Sequence, residues 1–172
     1  PNRPELTAGL DLYGAWKGFD FSMLFVAGAM HEISLTGTYY NYNDDNTIYT
    51  KPFKAGANSP VYLVEQAWRP DNTNGKYPRL SINAPNTNNA YASTFWYQDG
   101  KYVRMKSAQI GYTIPKNIVD KIGIENLRVY VEGTNLFTLS GLPAGIDPER
   151  PGVTNGYYPQ QRTVMGGLTI SF

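Results

Sequence analysis

Few residues in this 172-residue chain have side chains suited to catalysis or metal binding, and none stands with the partners such chemistry requires. His31 is the only histidine. A general base or metal ligand needs a second group within reach. With no other histidine and no cysteine in the chain, His31 reads as a surface or rim residue. The run Asn41-Tyr42-Asn43-Asp44-Asp45-Asn46 has the composition of a calcium loop. It lacks the sixth-position glycine and the closing glutamate of an EF-hand, so it reads as a solvated loop. Asp147 and Glu149 are close in sequence, but Pro148 between them and the Pro/Gly-rich surroundings mark a turn. Gly166-Gly167 has no phosphate-binding context; inside a strand such glycines let a bulky neighbour pack closely. No catalytic triad, paired-carboxylate site or metal cluster can be assembled, so neither an enzyme nor a cofactor is expected. Trp68, Trp96, Tyr97 and Tyr102 remain as weak binding candidates: they could stack on sugar rings or meet a partner protein, or pack inside a folded loop.

The composition points to strands joined by loops. Tyrosine is abundant (14, beside 7 Phe and 3 Trp), with 17 Gly and 12 Pro. Charged residues make up only 17%, against about 25% in ordinary globular domains. Aromatics favour strands, and Gly and Asn favour turns. The net charge of +1 gives no electrostatic case for nucleic acid. No 18-residue apolar stretch exists, which excludes a transmembrane helix and leaves strand-based crossing open. The chain begins at Pro1 with neither an initiator Met nor a signal-peptide pattern, which reads as processing or as a piece of something longer.

Five segments alternate with period two, and these must position whatever the chain presents. In 6–16, Leu6, Ala8, Leu10, Leu12, Gly14 and Trp16 oppose Thr7, Gly9, Asp11, Tyr13 and Ala15. A tight turn at Lys17-Gly18 leads into 19–27, where Phe19, Phe21, Met23 and Phe25 oppose Asp20 and Ser22, a hairpin pattern. Segments 101–114, 127–139 and 163–172 alternate in the same way. Asp11, Asp20, Arg128 and Glu132 all fall on the polar parity, so the pattern specifies register. Arg104 and Lys106 break it by sharing parity with Ile110; either the strand has left the apolar zone there or a bulge shifts its parity. Residues 115–123, framed by Pro115 and Gly123, predict a short helix in a structured turn. Stretches 28–100 and 140–160 are long and irregular. A loop of about seventy residues is abnormal in a compact soluble domain. Short turns at one end and long loops at the other are the pattern of an outer-membrane barrel.

A soluble β-sandwich also has one apolar face per strand. Three features favour a barrel wall: strand lengths of roughly 9 to 13 residues, close to what crosses a bilayer at a tilt; aromatics near strand ends (Trp16, Phe19, Tyr102, Tyr112, Phe137, Phe172), where interfacial girdles sit; and an apolar-face aromatic at the last position. Five strands cannot close a barrel, so other strands would have to supply both edges.

The run Asp99-Gly100-Lys101-Tyr102-Val103-Arg104-Met105-Lys106, followed by Gln109-Ile110-Gly111-Tyr112-Thr113-Ile114-Pro115, resembles the late-barrel signature of SusC/RagA TonB-dependent transporters. So do residues 122–138, Asp147-Pro148-Glu149, Gly156-Tyr157-Tyr158-Pro159-Gln160, and the loop motif Trp68-Arg69-Pro70-Asp71-Asn72. The resemblance implies an all-β fold: the C-terminal strands of a 22-stranded, plugged barrel in the bacterial outer membrane, with 28–100 and 140–160 as extracellular loops. It implies energised import of oligosaccharides or peptides, a SusD-like surface lipoprotein as lid, TonB as the energy partner, and a plug and further strands outside this chain. Asp11, Asp20, Arg128 and Glu132 would face the lumen, and Phe172 would resemble the aromatic signal read by the barrel-insertion machinery. The alternatives are a secreted glycan-binding sandwich and a structural or secretion barrel without import.

Overall fold

A computed structural model of the chain describes residues 3–34, 61–79, 93–149 and 160–172. The run 41–46 and residues 156–159 lie outside them. Among the described residues seven strands form: β1 (Leu6–Trp16), β2 (Phe19–Ala29), β3 (Glu32–Ser34), β4 (Tyr97–Asp99), β5 (Tyr102–Thr113), β6 (Asn126–Ser140) and β7 (Thr163–Ser171). Two short helices, α1 (Val61–Glu65) and α2 (Lys116–Val119), lie in the connections. The five long strands make one antiparallel sheet in the order β1-β2-β5-β6-β7, and β3 pairs with β4 in a separate two-stranded ribbon.

The hydrophobic alternation runs unbroken across the strands. Trp16, Phe19, Tyr112, Val129 and Leu168 are successive partners in one row, and Gly14, Phe21, Ile110, Val131 and Gly166 in the next. Between them lies the opposite-facing row Ala15, Asp20, Gly111, Tyr130 and Gly167. Paired residues point to the same side of a sheet, so one face is apolar and the other carries the polar side chains. The apolar face is uncovered: Leu10, Ile110, Val131, Val164 and Leu168 are all exposed. Inside this sheet the buried positions are Arg104 and the glycines Gly28, Gly111 and Gly133. A sandwich would bury the apolar row against a second sheet; among the described residues none lies there, and the sheet is a single layer.

The break at Arg104 and Lys106 is a bulge. The β2–β5 register shifts between Leu24 and Phe25, and Lys106 is passed over in pairing with β6. Parity therefore inverts beyond Lys106. Val103 and Met105 join the apolar face beside Leu139 and Phe137, while Arg104 and Tyr102 turn to the polar face. Tyr102 is thereby corrected from an outward girdle aromatic to a ring lying over Gly28 on the polar side. Phe19 and Tyr112 do meet on the apolar face near the short-turn end, with ring centroids 4.5 Å apart.

Both short turns lie at one end. Lys17 (φ 49°) and Gly18 (φ 87°) adopt the twisted two-residue turn that matches the strand twist. Residues 115–123 form α2, a 3-10 turn over Asp120–Ile122 and a left-handed Gly123 (φ 73°), with Val119 buried beneath. Pro115 stands just before the helix rather than at its first position.

A Cβ on Gly18 would meet the Thr113 carbonyl oxygen at 2.9 Å, and φ there is positive. Gly18→Val is expected to destabilise the full-length protein by about 1–3 kcal/mol, read as a shift in denaturant midpoint. Gly166→Ala, where the nearest atom is 3.9 Å away, should be close to neutral. Equal effects would contradict the turn geometry.

Candidate functional site

Apart from Asp11 at the middle of β1, the charged residues of the polar face form two groups, one toward each end. Near the short turns, Arg128 of β6 reaches across β5 to Asp20 of β2, donating through Nε at 2.9 Å and also through Nη2. Nη2 donates further to Gln109 Oε1 at 2.8 Å, and Gln109 Nε2 donates to Glu132 at 3.2 Å. The guanidinium lies flat over Gly111, where any Cβ would collide with it, and 5.1 Å from the Tyr130 ring. Tyr130 in turn covers Gly167. The close-packing glycine of the Gly-Gly pair is therefore Gly167; at Gly166 a Cβ would make only an ordinary contact with the Tyr130 carbonyl oxygen. Asp20, Arg128 and Glu132 form one ladder. Asp11, on the same face of β1, pairs in register with Leu24 and lies outside the ladder.

The second group lies at the long-loop end and was not visible as a site in the sequence. Arg104 is 4% exposed. Its Nε donates to Thr138 Oγ1 at 2.8 Å, Nη1 to Glu149 Oε2 at 2.7 Å and to Gln160 Oε1 at 2.8 Å, and Nη2 to Asp147 Oδ1 at 2.7 Å. Lys106, the bulge residue, donates to the same Glu149 oxygen at 2.7 Å. Asp147 Oδ1 also accepts the Glu149 backbone N–H at 2.9 Å, so Asp147-Pro148-Glu149 is a turn closed by its own aspartate. Two cations meet two carboxylates, and the charges cancel locally. A buried charge is tolerated only when paired and hydrogen-bonded in this way. The signal available in sequence was the parity break at Arg104 and Lys106; their partners lie about 40 residues away.

The loops above this end pack around a small apolar cluster of Leu63, Tyr77, Trp96 and Ile146, flanked by Tyr62 and Leu142. Trp96 is 2% exposed, stacked on Tyr77 and edge-on to Phe95. It is a packing residue of the loop unit, whereas Trp68 and Tyr97 are exposed. Trp68-Arg69-Pro70-Asp71-Asn72 folds as a tight turn: Arg69 and Asn72 exchange backbone hydrogen bonds, and Asn72 Nδ2 holds the Glu65 and Ala67 carbonyls. Burial raises the Tyr77 phenol above its ordinary 10.0. At the rim, the hydrogen bond from Lys101 holds the Asp99 carboxyl below 3.8, and Asp99 raises Lys101 above 10.5. This exposed pair favours the folded state between those two ordinary values; the benefit fades as pH falls through the depressed Asp99 value or rises through the elevated Lys101 value.

His31 is buried, not a rim residue. The chain turns at Met30 (φ 60°) into β3, and Gly100 packs directly against the imidazole while its N–H bonds the His31 carbonyl at 3.0 Å. Its ring nitrogens have no hydrogen-bond partner among the described residues. No cluster of metal ligands occurs among the described residues.

No protein-family model matches the chain. In sequence it is 31% identical over 98% of its length to TonB-dependent receptor P3 of Formosa agariphila, and 29% identical over 98% to TonB-dependent receptor P26 of the same organism. Its fold matches solved structures of the RagAB peptide importer, in the open-open state (TM-score 0.66, 24% identity, 98% of the chain) and in the closed-closed state (TM-score 0.67, 23% identity, 99% of the chain). The chain belongs to the TonB-dependent receptors. It spans 16% and 17% of the length of the two curated relatives, and about the same share of the solved importer chains. The sheet matches a sector of the barrel in those solved structures.

In the receptor, the Asp20–Arg128 contact spans three strands and locks their register. Each side chain is 22% exposed, so the contact is partly shielded from water. Asp20→Asn and Arg128→Gln in the full-length receptor are expected to show a coupling of about 1 kcal/mol in a double-mutant cycle of denaturant stability. Strict additivity would contradict the ladder.

Proposed function

We propose that this chain forms part of the wall and mouth of an active importer in the bacterial outer membrane. The observation that carries this reading is the single-layer sheet with an uncovered apolar face in register over five strands. Apolar rows that no described residue covers are at home against lipid. The polar face, with Asp11, Asp20, Arg128 and Glu132, then lines the lumen, and the long-loop end opens to the outside. The cargo is a nutrient of the oligosaccharide or peptide class. The names of the relatives support import through TonB, and the RagAB peptide importer supports the peptide alternative. A SusD-like lipoprotein seats over the loop unit, where exposed Trp68 and Tyr97 offer aromatic contacts. The plug and the TonB-contacting segment belong to the remainder of the receptor. Phe172, exposed on the apolar parity at the short-turn end, is the aromatic offered to the insertion machinery.

Parity makes the membrane reading testable. Val131→Arg and Leu168→Arg place a charge on the apolar face and are expected to cost roughly 2–4 kcal/mol each near the bilayer midplane. Thr134→Arg, on the polar face, should be far milder. Folding titrations of the full-length receptor into lipid vesicles measure all three. Equal tolerance would reject a lipid-facing wall.

A further inference from the structure

The Arg104 cluster and the aromatic loop cluster are adjacent in sequence as well as in space. Asp147 is a ligand of the Arg104 guanidinium, and Ile146, the residue before it, is buried among Leu63, Tyr77 and Trp96. Leu142 packs on the same apolar cluster, and the Gly141 N–H approaches the Lys101 carbonyl at 3.4 Å. Among the described residues, the 141–149 part of the β6–β7 connection therefore has an ionic and an apolar fastening placed back to back. The ionic one holds the wall; the apolar one holds the β2–β5 loop. Trp96 immediately precedes β4, which pairs with β3, so the apolar cluster is also tied to the ends of β2 and β5.

We propose that Ile146-Asp147 is the coupling that makes the described loop segments 61–79, 93–96 and 141–149 one body, fastened to the wall through Arg104, so that opening the Arg104 cluster releases these segments together. The cluster suits a fastening with two states. A guanidinium that is 4% exposed and uses four hydrogen bonds cannot loosen gradually, because losing Asp147 or Glu149 leaves a buried charge short of a counter-charge, and losing Thr138 or Gln160 leaves a buried donor unpaired. Arg104 is here a positioning residue that acts on cargo access through the loops. Calling the loop end the mouth of an importer rests on the function proposed above; the fastening does not.

Hydrogen exchange of the full-length receptor tests this. Arg104→Gln is expected to speed exchange about tenfold or more in residues 142–149 and, together with them, at the Trp68 and Tyr77 amides, which are hydrogen-bonded within the loop unit. Amides of Val129 and Val131 in β6 should not change. If Arg104→Gln fails to insert, Asp147→Asn opens the same contact with little change in volume and carries the same expectation. Ile146→Ala should free Trp68 and Tyr77 while leaving the Glu149 amide, bonded to Asp147, protected. Acceleration confined to 142–149, spread evenly over the strands, or absent in both charge variants would overturn the coupling, as would an Ile146→Ala receptor with unchanged Trp68 and Tyr77. The importer reading would fail separately, by tolerance of arginine on the apolar face.

Discussion

A one-residue slip of any strand would carry its whole apolar row to the other side of the sheet. In a sandwich such an error exposes one layer of a shared core. Here the sheet is a single layer, so both faces must be correct at once, and five strands must agree. The cross-strand rows show that agreement, from Trp16 through Phe19, Tyr112 and Val129 to Leu168. The long Asp20–Arg128 contact reinforces it on the polar side, where an arginine can lie flat only because Gly111 offers no side chain beneath it.

The same constraint explains the bulge. At the long-loop end, cations on the polar face hold the returning β6–β7 connection through Asp147 and Glu149. Lys106 is inserted without a partner, parity inverts, and Arg104 turns inward to meet Thr138, Asp147, Glu149 and Gln160. Bulges re-aim side chains at the rims of barrels, and this one moves a guanidinium from the apolar register to a buried, fully countered site. The apolar side stays continuous, because Val103 and Met105 take the vacated positions beside Leu139 and Phe137. Asn135, with φ 50°, absorbs the matching irregularity in β6.

Much of the wall was legible in the sequence because period two is a local signal. The expected segment 6–16 is β1 itself, and 101–114 and 127–139 differ from β5 and β6 by one residue at each end. The turn at Lys17-Gly18 was equally local. What stayed hidden depends on residues far apart in the chain. Arg104 and Lys106 stood out as parity errors, yet Asp147 and Glu149 read only as a turn, since nothing local says that a turn will fold back onto a strand some forty positions upstream. Trp96 was legible as an aromatic but not as the centre of a loop cluster, and β3, β4 and α1 fell inside a stretch read as loop. His31 read as a rim residue because burial by Gly100 follows from pairing between the ends of β2 and β5, which composition does not encode.

In the proposed importer wall, alternate residues of β6 meet lipid and water. The chain has no cysteine, so single labels at Arg128→Cys, Val129→Cys, Val131→Cys and Glu132→Cys in a reconstituted full-length receptor with no other reactive cysteine report on single sites of β6. Spin-label accessibility should alternate: the labels at 129 and 131 collide with lipid-soluble oxygen, and those at 128 and 132 with a water-soluble nickel reagent. Uniform accessibility along the strand, or labels at 129 and 131 shielded from both reagents, would contradict a single-layer wall between lipid and lumen.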